Sequence, residues 1–131
     1  MAASHPQAAQ VGLEVLRSGG TAADAAIAAN SMLSVVEPMS CGVGGDLFCL
    51  YWDAGSKKLH ALNGSGRAPA AISREIFEEK KLTKIPVTGP LSWTVPGCVD
   101  GWEQLRGRFG RKSLAELLQP AIAAADDELL L

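Results

Sequence analysis

Gly19-Gly20-Thr21-Ala22-Ala23-Asp24-Ala25-Ala26-Ile27-Ala28-Ala29, running on through Ser34-Val35-Val36-Glu37-Pro38 to Cys41-Gly42-Val43-Gly44-Gly45-Asp46, is the stretch whose reading decides the fold. Gly19-Gly20 supplies the left-handed residue that commonly ends a helix, so a helix is expected before it. Thr21 is a good N-cap, and Asp24 falls in the first turn, where a carboxylate suits the positive end of the helix dipole. From Ala22 to about Val36 the pattern is apolar almost all round, which predicts a helix buried on most sides. Its many alanines let neighbouring backbones approach closely. Pro38 stops it, because the residue before a proline is biased away from helical geometry. The glycines of Ser40–Gly45 then predict a tight turn. Nothing in this spine is an obvious catalytic group.

Working outward, Pro6–Arg17 reads as the preceding helix, with Ser4 as its cap and Ala8, Val11 and Val15 on one stripe. On the other side, Leu47–Trp52 (LFCLYW) is a nearly continuous apolar run, which predicts a strand covered on both faces. Asp53-Ala54-Gly55-Ser56 turns the chain, and Lys58–Asn63 returns as the partner strand. A second glycine turn, Asn63–Gly66, leads to Arg67-Ala68-Pro69. A short helix is expected from Arg74 to about Lys80, and an extended Pro- and Gly-punctuated segment over 82–99. A helix carrying Trp102 and Leu105 spans about Asp100 to Arg108. Ser113-Leu114-Ala115-Glu116 is a capping box opening the last helix, expected to be interrupted or kinked at Pro120. The run Asp126–Leu131 ends in three leucines with nothing after them to cover them. The expected class is α+β, helices packed on an incomplete β-sheet, since a lone hairpin with a buried-type strand needs more sheet around it.

Length and charge narrow the function. With 131 residues and 47% hydrophobic content, residues 1–131 make one domain-sized unit rather than two. A net charge of −2 offers no attraction to nucleic acid or an anionic membrane, and neither is expected as a partner. The basic run Arg106–Lys112 is broken by glycines and reads as a solvated turn between helices. Cys41, Cys49 and Cys98 fit no metal spacing and read as reduced structural thiols. The N-terminus lacks the cationic start and apolar core of a signal peptide, and no apolar run reaches membrane-spanning length, so a cytoplasmic location is expected.

Candidate chemistry is sparse. The turn Cys41–Asp46 has its glycines between helix and strand, whereas phosphate- and dinucleotide-binding loops run strand, glycines, helix. His5 and His60 have no cysteine or carboxylate at ligand spacing, so no metal or other cofactor is indicated. Ser65, in Gly64-Ser65-Gly66, lacks the strand-to-helix elbow of a serine nucleophile and reads as a turn serine. Asp46, Asp53 and Asp100 are each explained locally as cap or turn residues. No catalytic residue is identified. Arg67 stands out: after a flexible turn and before Ala-Pro it could present a guanidinium to a carboxylate in bidentate fashion. A fold-stabilising or simply exposed arginine explains it equally well.

Taken in order, GGTAADAAIAA, SVVEP, CGVGGDLF, a strand pair, RAP, Val95-Pro96-Gly97-Cys98-Val99-Asp100-Gly101-Trp102 and Leu117-Leu118-Gln119-Pro120-Ala121-Ile122 resemble the large-subunit region of γ-glutamyltranspeptidases (glutathione hydrolases). The resemblance runs from about Ser4 to Asp126. It implies part of an N-terminal-nucleophile hydrolase with a four-layer αββα sandwich, made as a proenzyme that cuts itself into large and small subunits. In such enzymes the new N-terminal threonine of the small subunit attacks a γ-glutamyl amide and forms an acyl-enzyme. This chain would then be a large-subunit fragment without the nucleophile, inactive alone and needing the missing small subunit to act on a small-molecule γ-glutamyl substrate. Better-known members bind the substrate's α-carboxylate through an arginine that, aligned on Ala68-Pro69, falls at Ser65, with Arg67 two positions later. Either Arg67 takes that role after a change of turn, or the acyl group differs, as in a cephalosporin-acylase-like relative. A subunit or interaction module paired with a separate small subunit is the remaining alternative.

Overall fold

The computed structural model describes residues 1–126, so the reading of the terminal leucines lies outside the described residues. In chain order the elements are α1 (Pro6–Arg17), α2 (Ala22–Val36), β1 (Leu47–Asp53), β2 (Lys58–Gly64), α3 (Arg74–Glu79), a 3₁₀ turn (Pro90–Ser92), α4 (Cys98–Phe109) and α5 (Leu114–Asp126). Helix α2 sits at the centre, in contact with α1, α4 and α5. Ala23, Ala25, Ile27, Ala28, Ala29 and Met32 are all buried there, against Val11 and Val15 of α1, Trp102 and Leu105 of α4, and Leu117 of α5. The apolar circumference of α2 thus does what its sequence predicts, and small side chains allow helices on several sides at once.

The caps refine the expectations. α1 is capped by His5 rather than Ser4: the His5 Nδ1 accepts from the Gln7 amide at 3.3 Å. Ser4 instead donates its hydroxyl to Glu37 at 2.7 Å, tying the N-terminal segment to the end of α2. Gly19 closes α1 with φ of 85°, a conformation that favours glycine. Thr21 and Asp24 form a reciprocal capping box on α2.

The Asp24 side chain, fully buried, also reaches across the core. Its carboxylate accepts from the backbone amides of Arg111 at 3.0 Å and Lys112 at 3.4 Å. The turn between α4 and α5 is therefore anchored to α2 and is not merely solvated, a correction to the reading of Arg106–Lys112. α4 begins at Cys98, two residues earlier than expected. α5 runs through Pro120 without a break, because Leu117 and Ala121 on either side of it are held in buried positions. A proline costs one helical hydrogen bond and some crowding, which this packing offsets.

β1 and β2 pair antiparallel, with Leu47 opposite Gly64 and Asp53 opposite Lys58. The continuous apolar run of β1 is not covered on both faces. Leu47, Cys49 and Tyr51 turn toward the helices, and Tyr51 stacks on Phe109 of α4 with ring centroids 4.2 Å apart. Phe48, Leu50 and Trp52 point the other way and are 67%, 73% and 59% exposed. Successive strand side chains alternate faces, and here α4 packs on only one of them. Leu59 and Ala61 of β2 extend the same bare face. None of the helices among the described residues is long and apolar enough to cross a membrane.

Candidate functional site

The chain leaving β2 folds against the segment that leads into α4. Gly64 closes the ladder opposite Leu47, and the amide of Ser65 then donates to the Asn63 side chain at 3.0 Å, forming an Asx turn. Gly66 presses so tightly on the segment 94–97 that an added Cβ would lie 1.4 Å from the carbonyl oxygen of Val95. Gly97 is equally constrained: its Cβ would meet the Gly64 carbonyl oxygen at 2.2 Å. Only glycine allows two backbones this close. The Val95 amide donates to the Arg67 carbonyl at 2.9 Å, so the arginine's backbone is fixed while its side chain is exposed.

The glycine turn of the spine holds the other side. The Gly45 carbonyl accepts from the amides of Gly97 at 3.2 Å and Cys98 at 3.0 Å. The neighbouring Asp46 carboxylate accepts from the Gly66 amide at 3.2 Å and the Thr94 hydroxyl at 3.0 Å. Asp46 is therefore more than a local turn residue: it bridges segments 20 and 48 positions away. A register argument could have placed it next to Ser65, but only once the strand pairing was known.

These segments frame an open cleft of about 550 Å³ lined by Asn63, Ser65, Arg67, Pro96, Asp100 and Gln104, among others. That volume falls in the range of small-molecule sites. Arg67 and Ser65, the two residues singled out from the sequence, both line it. Among the described residues Arg67 has no ion-pair partner, whereas Arg106 and Arg74 pair with Glu103 and Glu78. The Asp100 carboxylate is engaged by the Gln104 side-chain amide at 2.6 Å. Ser65 contributes only its backbone amide to the hydrogen bonding of the turn, and no base is bonded to its hydroxyl among the described residues.

Other reactive groups are occupied elsewhere. Burial pushes the thiols of Cys49 and Cys98 up, which keeps them protonated and poorly nucleophilic; for Cys98 the neighbouring Cys41 and Asp46 add to the effect. All three cysteines are free. His60 is partly buried beside Phe109, with the Arg108 guanidinium 3.1 Å from its Nδ1. The hollow there is about 70 Å³, below the size of ordinary ligand sites. Among the described residues no three His, Cys, Asp or Glu side chains come together as a metal site would require.

A family model for gamma-glutamyltranspeptidase matches residues 8–127. The glutathione hydrolase-like YwrD proenzyme of Bacillus subtilis (strain 168) is 41% identical over 118 residues, covering 89% of this chain and 22% of that protein. Among solved structures, cephalosporin acylase from Bacillus halodurans matches with a TM-score of 0.87 at 46% identity, over 95% of this chain and 23% of that one. The γ-glutamyltranspeptidase of Helicobacter pylori matches with a TM-score of 0.84 at 35% identity, over 92% of this chain and 35% of that one. The chain thus spans about a fifth of the length of the curated relatives it matches. Those likenesses take in the helices and the hairpin together, so its α+β arrangement is a part of the N-terminal-nucleophile hydrolase architecture, and the chain belongs to the γ-glutamyltranspeptidase family.

Proposed function

We propose that residues 1–131 are the N-terminal part of the large subunit of an enzyme that cleaves or transfers γ-glutamyl amides through an acyl-enzyme. The observation that carries this reading is an arginine with no ionic partner among the described residues, Arg67, lining a small-molecule-sized cleft in a chain of this family. In this reading the nucleophilic threonine and the oxyanion groups come from polypeptide outside this chain. The chain's own part is recognition. The Arg67 guanidinium holds the substrate carboxylate through charge-assisted hydrogen bonds, and the glycine-constrained backbone beneath fixes where that arginine starts. Ser65, at the position aligned with the family's arginine, contributes at most its hydroxyl. The remaining subunit covers the bare outer face of the hairpin.

Two assays test this. The purified chain incubated with a γ-glutamyl anilide is expected to show no turnover above buffer; clear turnover means that the nucleophile lies within residues 1–131. Titration with L-glutamate, followed by NMR, is expected to saturate. Arg67→Ala should weaken that binding at least about tenfold, the scale of one lost charge-assisted interaction.

A cephalosporin-acylase-like specificity is the second reading. It is favoured by the 46% identity to the Bacillus halodurans acylase against 35% to the Helicobacter pylori transpeptidase. A parallel titration with a cephalosporin amide separates the two: saturation by that ligand and not by L-glutamate selects the acylase reading.

A further inference from the structure

Between β1 and the cleft, one side chain ties together the pieces that carry Arg67. In the antiparallel register Leu47 faces Gly64, so Asp46 falls opposite Ser65, one step beyond the last pair. There the two strands part, and the ladder no longer holds the turn. The Asp46 carboxylate replaces it, with the same oxygen accepting from the Gly66 amide at 3.2 Å and the Thr94 hydroxyl at 3.0 Å. Gly66 has no side chain with which to anchor itself, and none would fit against Val95. The next residue is Arg67, whose carbonyl is held by the Val95 amide at 2.9 Å. Asp46 thus joins the two sides of the sandwich in which the arginine's backbone is clamped.

We infer that Asp46 is a positioning residue for Arg67: by fixing the Gly66 amide and Thr94 together, it sets where the guanidinium meets a bound carboxylate. The inference rests on the reading of Arg67 as the carboxylate-binding group. Asp46 itself would repel a carboxylate ligand at close range, so its contribution is geometric and reaches the ligand only through the turn. An arginine on an unpinned glycine turn would sample many positions, and each bound geometry would cost more ordering entropy.

The test is a double-substitution cycle on the full chain, with L-glutamate as probe and binding read by NMR titration. Asp46→Ala is expected to weaken binding about tenfold, with slowed exchange lost at the Gly66 amide. Asp46→Asn keeps an acceptor oxygen at the same place and is expected to restore most of the affinity. In the Arg67→Ala background, Asp46→Ala should have no further effect, a coupling that loss of overall fold does not produce. Circular dichroism checks the fold, and should Asp46→Ala unfold the chain, Thr94→Val removes the other leg of the pin more gently. If Arg67→Ala weakens binding while Asp46→Ala and Thr94→Val do not, the positioning role is wrong and the Arg67 reading stands. If Arg67→Ala leaves binding unchanged, or the unaltered chain shows no saturable binding, both are overturned.

Discussion

A carboxylate with no exposure to solvent is tolerated only when its oxygens are saturated by donors, and Asp24 meets that condition with the backbone amides of Thr21, Arg111 and Lys112. Asp24→Asn puts an NH₂ where amide donors now converge, and is expected to lower stability by about 2–3 kcal/mol in urea unfolding. The effect should depend on pH. Burial acts to raise the Asp24 pKa, but hydrogen bonds from Thr21, Arg111 and Lys112 outweigh it and hold the group below its ordinary 3.8. A folded-state value under the unfolded one means that this stabilisation is present above about pH 4 and is lost as pH falls through the folded value. Thermal melts descending from neutral pH should therefore show an acid limb that Asp24→Asn flattens. The sequence reveals half of this residue: a Thr and Asp three apart read as a cap, whereas partners 87 and 88 positions later do not. Asn30 is a similar case. It looks like one of a few polar interruptions of an apolar helix, yet its side-chain oxygen accepts from the indole N–H of the buried Trp102 at 2.8 Å. Asn30→Ala should cost about 1–3 kcal/mol by leaving that donor unpaired.

Elements were legible where local chemistry punctuates the chain. Gly19, Pro38, the Asp53–Ser56 turn and the Ser113–Glu116 box mark ends that the structure reproduces within a residue or two. Their energetics are local as well: Ser113→Ala should cost about 1 kcal/mol and leave the hairpin's chemical shifts unchanged. What local chemistry could not supply is which face of an element is used. LFCLYW is apolar throughout, so its sequence fits a doubly covered strand, while the helices here pack on alternate residues only. The candidate site divides in the same way. Arg67 stood out because an arginine beside glycines is conspicuous, whereas Ser65 read as a turn serine and entered only as the position the family resemblance aligns with the substrate-binding arginine. The clamp beneath them was not, because Gly66 against Val95 and Asp46 against Thr94 arise from tertiary approach.

For the whole molecule, the bare hairpin face is the feature that ordinary monomer surfaces do not share. Phe48, Leu50 and Trp52 form one row on β1, and Leu59 lies beside them on β2 directly opposite Trp52. A contiguous apolar face of this kind marks an interaction surface or an aggregation hazard, and among the described residues it sits on a two-stranded sheet. The chain spans about a fifth of the length of its curated relatives, and on the proposed reading the rest of such an enzyme covers this face. In isolation the same face has only copies of itself to meet. Sedimentation velocity is therefore expected to show association that rises with concentration. Leu50→Lys combined with Trp52→Glu should return the chain to a monomer with little change in melting temperature, because both side chains are already more than half exposed. Tyr51→Ala, on the inner face and stacked on Phe109, should do the reverse: lower stability by about 3 kcal/mol and leave association intact. A chain that stays monomeric at every concentration, with the outer face unaltered, shows that this surface does not call for a partner.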